Sequence, residues 1–94
     1  MIITLIELLE KEKNDPFYIN KIKLQMYKLY NQLSKFDDIP TYAFLEILQK
    51  QNIFVFVLDE QIVGTITVLL ERKMIHNGGM VAHIEDVVVD ENHR

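Results

Sequence analysis

The chain reads as a single α+β domain, with helices first and an antiparallel meander of strands after them. Three observations lead there. Apolar residues recur at helical spacing through the first half. Three β-prone runs then follow between Asn52 and Asp90. The connection between the first two runs is too short for a crossover, so they pair antiparallel. The predicted order is β-α-α-β-β-β, helices first and a meander after, and not an alternating βαβ arrangement.

Each element follows from its own signals. "IITLIELL" fits either a strand or a short helix, and a strand is the expectation. Asn14 or Asp15 can cap the next element, and Pro16 suits a first helical turn. Ile19, Ile22, Met26, Leu29, Tyr30 and Leu33 then lie three and four apart. They form one face of a helix of about five turns, a core stripe. "SKFDDIP" ends that helix, and "TYAFLEILQKQ" forms a second, shorter one. "NIFVFVL" is a continuous β-prone run, which predicts a strand buried on both faces. "DEQ" is a turn, "IVGTITVLLER" a second strand, "KMIHNGGM" a loop with turn chemistry and "VAHIEDVVVD" a third strand.

Bulk properties exclude several classes. A length of 94 residues allows one domain, and 49% apolar with 26% charged residues is a globular composition. The net charge of −4 argues against a nucleic-acid surface, which needs clustered Lys and Arg. There is no cysteine, and three scattered histidines give no expectation of a metal site. No run approaches the ~20 apolar residues of a membrane span, and the start lacks the basic region of a signal peptide. No membrane partner and a cytoplasmic location are the expectations.

The chemistry concentrates in "HIEDVVVDENHR", residues 83–94. Strand alternation would place His83, Glu85, Val87 and Val89 on one face and Ile84, Asp86 and Val88 on the other. Glu85 and Asp86 then point to opposite sides. In a central strand, at least one carboxylate would approach the core and would need a partner. An edge strand with one wet face and a local salt bridge is the bland reading. Placement of a carboxylate in a cleft is the functional one.

The segment "LLERKMIHNGGMVAHIEDVVVDENHR" resembles the central part of the glucosamine-6-phosphate N-acetyltransferase family, within the GNAT acetyltransferases. The resemblance rests on an "ERK-x-IH" stretch, the seven-residue step from His76 to His83, and "HIEDVVV" in place of the family's "HIEDIVV". A weaker similarity covers "QLSKFDDIPTYAF". It implies an acetyl-CoA-dependent transfer to an amino-sugar phosphate, glucosamine 6-phosphate in particular, by a homodimer and without a metal. On that resemblance Glu85 is the base that accepts the amine proton, and Asp86 positions the sugar. Ser34, Lys73, Met74, Ile75, His76 and Val87 join them around the substrate. The main chain of Val87, Val88 and Val89 would hold the pantetheine arm as an added strand, with Arg94 beginning the pyrophosphate turn. No covalent intermediate is needed, since no cysteine and no Ser/His/Asp arrangement stands out.

After Arg94 the family continues into a glycine-rich turn, a helix and further strands. The expectation is therefore a partial domain over 1–94 that ends before the acetyl-CoA pyrophosphate loop, inactive by itself. Two further readings stand beside it. One is a non-catalytic half-domain that pairs through its exposed third meander strand with a partner or a second copy. The other is an unrelated α+β binding domain whose "IED" is structural.

Overall fold

The structure, a computed structural model, describes residues 1–94 apart from Phe36 and the side chain of His76. The opening segment corrects the expectation of a single strand. Strand β1 (Ile2–Thr4) is three residues long, and helix α1 (Leu5–Glu10) follows at once. The cause is a threonine N-cap at "TLIE". Thr4 Oγ1 accepts from the Glu7 backbone N–H at 3.2 Å, while the Thr4 hydroxyl donates to Glu7 Oε1 at 2.6 Å. Leu5, Leu8 and Leu9 can then be buried together, as a helix allows and a strand does not.

Helix α2 (Pro16–Tyr30) starts as predicted, with Asp15 Oδ1 accepting from the N–H groups of Phe17 and Tyr18. It is shorter than expected. The chain tightens after Tyr30 into a turn in which Ser34 N–H donates to Tyr30 C=O, and Leu33 falls outside the helix and is exposed. Helix α3 (Thr41–Lys50) begins after Pro40, which leaves no side-chain cap.

Strands β2 (Asn52–Leu58), β3 (Gln61–Arg72) and β4 (Met80–Val89) complete an antiparallel sheet in the order β1-β2-β3-β4. Asp59 and Glu60 make the two-residue β2–β3 connection, both with positive φ, as such hairpins require. The three helices lie on one face of the sheet. Ile53 and Val55 are buried there with Ile22, Met26 and Leu29 of α2 and Phe44 and Leu48 of α3. The expectation that "NIFVFVL" is buried on both faces is therefore wrong: Phe56 on the other face is 40% exposed. A continuous apolar run predicts two covered faces only where elements exist on both sides.

Candidate active site

β4 is an edge strand, and its ladder with β3 slips once. Thr67 pairs with Glu85, but the next pair on the same face is Thr65 with Val88. Two residues of β4, Asp86 and Val87, thus stand where a regular ladder has one. Asp86 adopts φ +50°, a left-handed conformation that Asp tolerates better than most residues. The bulge overturns simple alternation. Directly opposite residues share a face, so Ile53–Thr67–Glu85 and Val55–Thr65–Val88 form adjacent rows on the helix side. Val88 is buried in the core, while Glu85 and Asp86 remain exposed.

A cavity of about 390 Å³ opens between α2, α3 and this face. Met26, Phe44, Ile47, Leu48 and Ile53 supply much of its wall. Its polar lining includes Tyr27, Tyr30, Ser34, Gln51, the Lys23–Asp38 pair and Asp86. Lys23 Nζ lies 2.9 Å from Asp38 Oδ2, with the lysine side chain nearly enclosed. Burial pushes the Tyr30 phenol up; the hydroxyls of Thr65 and Thr67 oppose that shift, and the Asp86 carboxylate adds to it. Tyr30 is therefore a neutral donor at ordinary pH. Thr67 Oγ1, fully enclosed, makes no hydrogen bond of ordinary geometry among the described residues.

The structure brings some of the expected site residues together and separates others. Ser34 and Asp86 line the same cavity, and Glu85 is next to Asp86 on the strand. Neither carboxylate has an ion-pair partner among the described residues, so the local salt bridge of the bland reading is absent there. Lys73, Met74 and Ile75 sit at the far end of the β3–β4 ribbon. Lys73 is six residues beyond Thr67, roughly 20 Å at ~3.3 Å per residue. There Lys73 Nζ contacts Glu71 Oε1 at 3.1 Å, and His83 Nε2 lies 2.7 Å from Glu71 Oε2. The His83 hydrogen bond and then that of Lys73 hold the Glu71 carboxyl below its usual range. Met74 is 99% exposed. His76 lies in the 3-10 turn His76–Gly78, but its side chain falls outside the described residues.

Val87, Val88 and Val89 lie on the outer strand, whose free edge carries unpaired backbone groups that suit an extended amide chain. Arg94 folds back so that its Nε donates to Val89 C=O at 3.0 Å. Sequence reasoning missed Tyr27, Lys23 and Asp38 in the cavity and counted Tyr30 as core alone. The only signal available was that "SKFDDIP" must return the chain past the end of α2. Among the described residues no cluster of His, Asp and Glu could hold a metal, and no helix is long and apolar enough to cross a membrane.

Comparison with known proteins bears on the fold and the family. The chain is similar to glucosamine-6-phosphate N-acetyltransferase from Arabidopsis thaliana, at 29% identity and a TM-score of 0.67, over 79% of this chain and 56% of that one. It shares its fold with a provisionally assigned acetyltransferase from Agrobacterium tumefaciens, at 24% identity and a TM-score of 0.69, over 77% of this chain and 55% of that one. It also shares its fold with an acetyltransferase from Trypanosoma brucei, at 22% identity and a TM-score of 0.70, over 100% of this chain and 62% of that one. The chain thus spans less than two thirds of the length of each. Residues 6–94 match the acetyltransferase (GNAT) family, and the chain belongs to that family.

Proposed function

We propose that this chain is the acceptor-side half of an acetyl-CoA-dependent N-acetyltransferase that acts on a primary amine of a small molecule. The observation that carries the reading is the bulge in β4. It sets two adjacent carboxylates, Glu85 and Asp86, which have no ion-pair partner among the described residues, beside a cavity of small-molecule size. Asp86 can hold the ammonium form of the acceptor. Glu85 can take its proton, directly or through one water, so that the nitrogen becomes nucleophilic. Backbone N–H groups of β4 can stabilise the oxyanion that develops on the attacked carbonyl.

Acetyl-CoA supplies the activated acetyl thioester. The residues present fit it: the outer edge at Val87 and Val88 offers strand-type hydrogen bonds, and Arg94, which donates to Val89 C=O, offers a cation at the end of that edge. Glucosamine 6-phosphate is the first acceptor to test, because "HIEDVVV" and the resemblance to the plant enzyme both support it. The test is product analysis by mass spectrometry with acetyl-CoA and a panel of amines, on this chain and on a version extended to the length of its relatives. N-acetylated product from the extended version is expected. Absence of product from every acceptor would overturn the reading.

A second reading is favoured by a different observation. Among the described residues no strand pairs with the outer edge of β4, and Ile84, Val87 and Val89 along it are exposed. A non-catalytic half-domain pairing with another copy through that edge also accounts for these residues.

A further inference from the structure

Gln32 stands in the turn that leaves α2, and both polar atoms of its side chain reach the far end of β4. Its Nε2 donates to Asp90 Oδ1 at 2.7 Å, and its Oε1 accepts the Glu91 N–H at 2.8 Å. The orientation of the amide is forced, because a carboxylate offers only acceptors and a backbone N–H only a donor. The turn is anchored to the helix: Gln32 N–H donates to Leu29 C=O, and the N–H groups of Leu33 and Ser34 donate to Tyr30 C=O. Tyr30, Leu33 and Ser34 line the cavity beside Asp86. On the other side, Asp90 N–H donates to Val63 C=O at 2.8 Å where β4 leaves the sheet. Asp90 then organises the short turn that leads to Arg94. Its Oδ2 accepts from Asn92 N–H, and its C=O accepts from His93 N–H. One side chain thus joins the wall of the cavity to the exit of β4.

We infer that Gln32 is a positioning residue: it fixes the exit of β4, with Arg94, against the cavity wall formed by Tyr30 and Ser34, and so holds donor and acceptor in one frame. The inference rests on the N-acetyltransferase reading and adds to it a residue that acts without touching either substrate. Transfer needs the amine nitrogen about 3–3.5 Å from the thioester carbonyl. A misplacement of ~1 Å can cost ~10²-fold in rate while each substrate is still bound. A single exposed hydrogen bond would not hold such a tolerance. This amide uses its donor and its acceptor on two consecutive residues, which fixes the exit in direction as well as in distance. Its bond to Asp90 is also charge-assisted, and such bonds are stronger than neutral ones. That bond is the first cause that holds the Asp90 carboxyl below its ordinary range.

Two variants test this. Gln32→Met keeps the length of the side chain and removes both bonds. Gln32→Glu combined with Asp90→Asn exchanges donor and acceptor across the contact. The introduced amide donates to the introduced carboxylate, which still accepts the Glu91 N–H, and the amide oxygen can still accept from Asn92 N–H. Hydrogen exchange on the 94-residue chain reads the contact without any requirement for turnover. The Glu91 amide should exchange about tenfold faster or more in Gln32→Met and return toward the parent rate in the exchanged pair. Exchange within β2 and β3 should not change, which shows that the fold is intact. Steady-state kinetics on the version extended to the length of its relatives reads the consequence. Gln32→Met should lower kcat by about ten- to hundredfold and leave KM for the amine and for acetyl-CoA within about threefold. The exchanged pair should recover most of kcat. The inference falls if Glu91 exchange is indifferent to Gln32, if kcat is unchanged in Gln32→Met, if both KM values rise in its place, or if the exchanged pair recovers nothing. Each of these results leaves the transferase reading standing. Absence of product from the extended parent is the separate result that overturns that reading, and the positioning role with it.

Discussion

Gln32 Nε2 donates to Asp90 Oδ1 at 2.7 Å, across 58 residues of sequence. The same amide accepts the Glu91 N–H through Oε1 at 2.8 Å. Asp90 also caps the last turn by accepting from Asn92 N–H, and it contacts His93 Nδ1 at 2.9 Å. The turn that follows α2 is thereby tied to the exit of β4, the two segments that carry Ser34 on one side and Arg94 on the other.

This cluster should titrate in acid. The Gln32 hydrogen bond first, and then that of His93, hold the Asp90 carboxyl below its ordinary value of 3.8. Its folded value is depressed, so its contribution is present above the ordinary value and disappears as pH falls through the folded one. The amide resonances of Glu91 and Asn92 should show a step below the usual carboxylate range. Asp90→Asn should abolish that acid step. Movement of both amides near pH 6, with no acid step, would assign the behaviour to histidine instead.

The α1 cap is a second point of attack. Thr4→Ala removes both hydrogen bonds of the Thr4 hydroxyl and should cost about 1 kcal/mol. Thr4→Ser should restore most of it. Urea melts of the three proteins check this. An alanine variant as stable as the parent would mean that α1 is held by Leu5, Leu8 and Leu9 alone.

Leu29 is 2% exposed, on the face of α2 that packs on the sheet. Leu29→Ala should cost ~2–5 kcal/mol, a large share of the ~5–15 kcal/mol that stabilises a typical domain. A thermal or urea melt shifted no further than by a surface substitution would show that this face does not carry the core.

Much of this fold was legible in local signals. Asp15 with Pro16 marked the start of α2, the stripe from Ile19 to Leu29 marked its buried face, and "DEQ" marked the β2–β3 turn. The failures have physical causes. In "TLIE" the threonine cap was present, but the apolar run beside it suits either period, and β propensity prevailed. The open face of β2 could not be foreseen, because coverage depends on where the helices dock. The bulge at Asp86 has no glycine to announce it, yet it decides which way the carboxylates face. Family resemblance singled out Glu85, Asp86 and Ser34, and Ser34 and Asp86 line the cavity. It was silent on Tyr27, Lys23 and Asp38, which give the cavity its character.

The two carboxylates should separate by role in the version extended to the length of its relatives. Glu85→Gln keeps the shape and removes the base. Its turnover should fall by about 10²–10⁴-fold, the usual contribution of a general base. Asp86→Asn should raise KM for the amine more than KM for acetyl-CoA. Steady-state kinetics with each substrate varied in turn would separate the two. Unchanged turnover in Glu85→Gln would remove Glu85 from the mechanism.

The last prediction concerns the outer edge of β4. Its backbone groups face no strand among the described residues. Ile84 is 55% exposed and Val89 42%, on the sheet face turned away from the helices, where Phe56 is also partly open. An open edge joined to an apolar face is the arrangement that recruits another chain, by extending the ladder and covering hydrocarbon together. The 94-residue chain should therefore associate as its concentration rises. Ile84→Lys should suppress this, since a charge on an edge strand resists pairing and Ile84 lies off the helix-packed core. Light scattering and sedimentation across a concentration series measure it. A chain that stays monomeric throughout, or one whose association is untouched by Ile84→Lys, would show that this edge is not the contact. Association through β4 should also change the amide resonances of residues 83–89 while leaving those of α3 in place, which distinguishes edge pairing from unspecific aggregation.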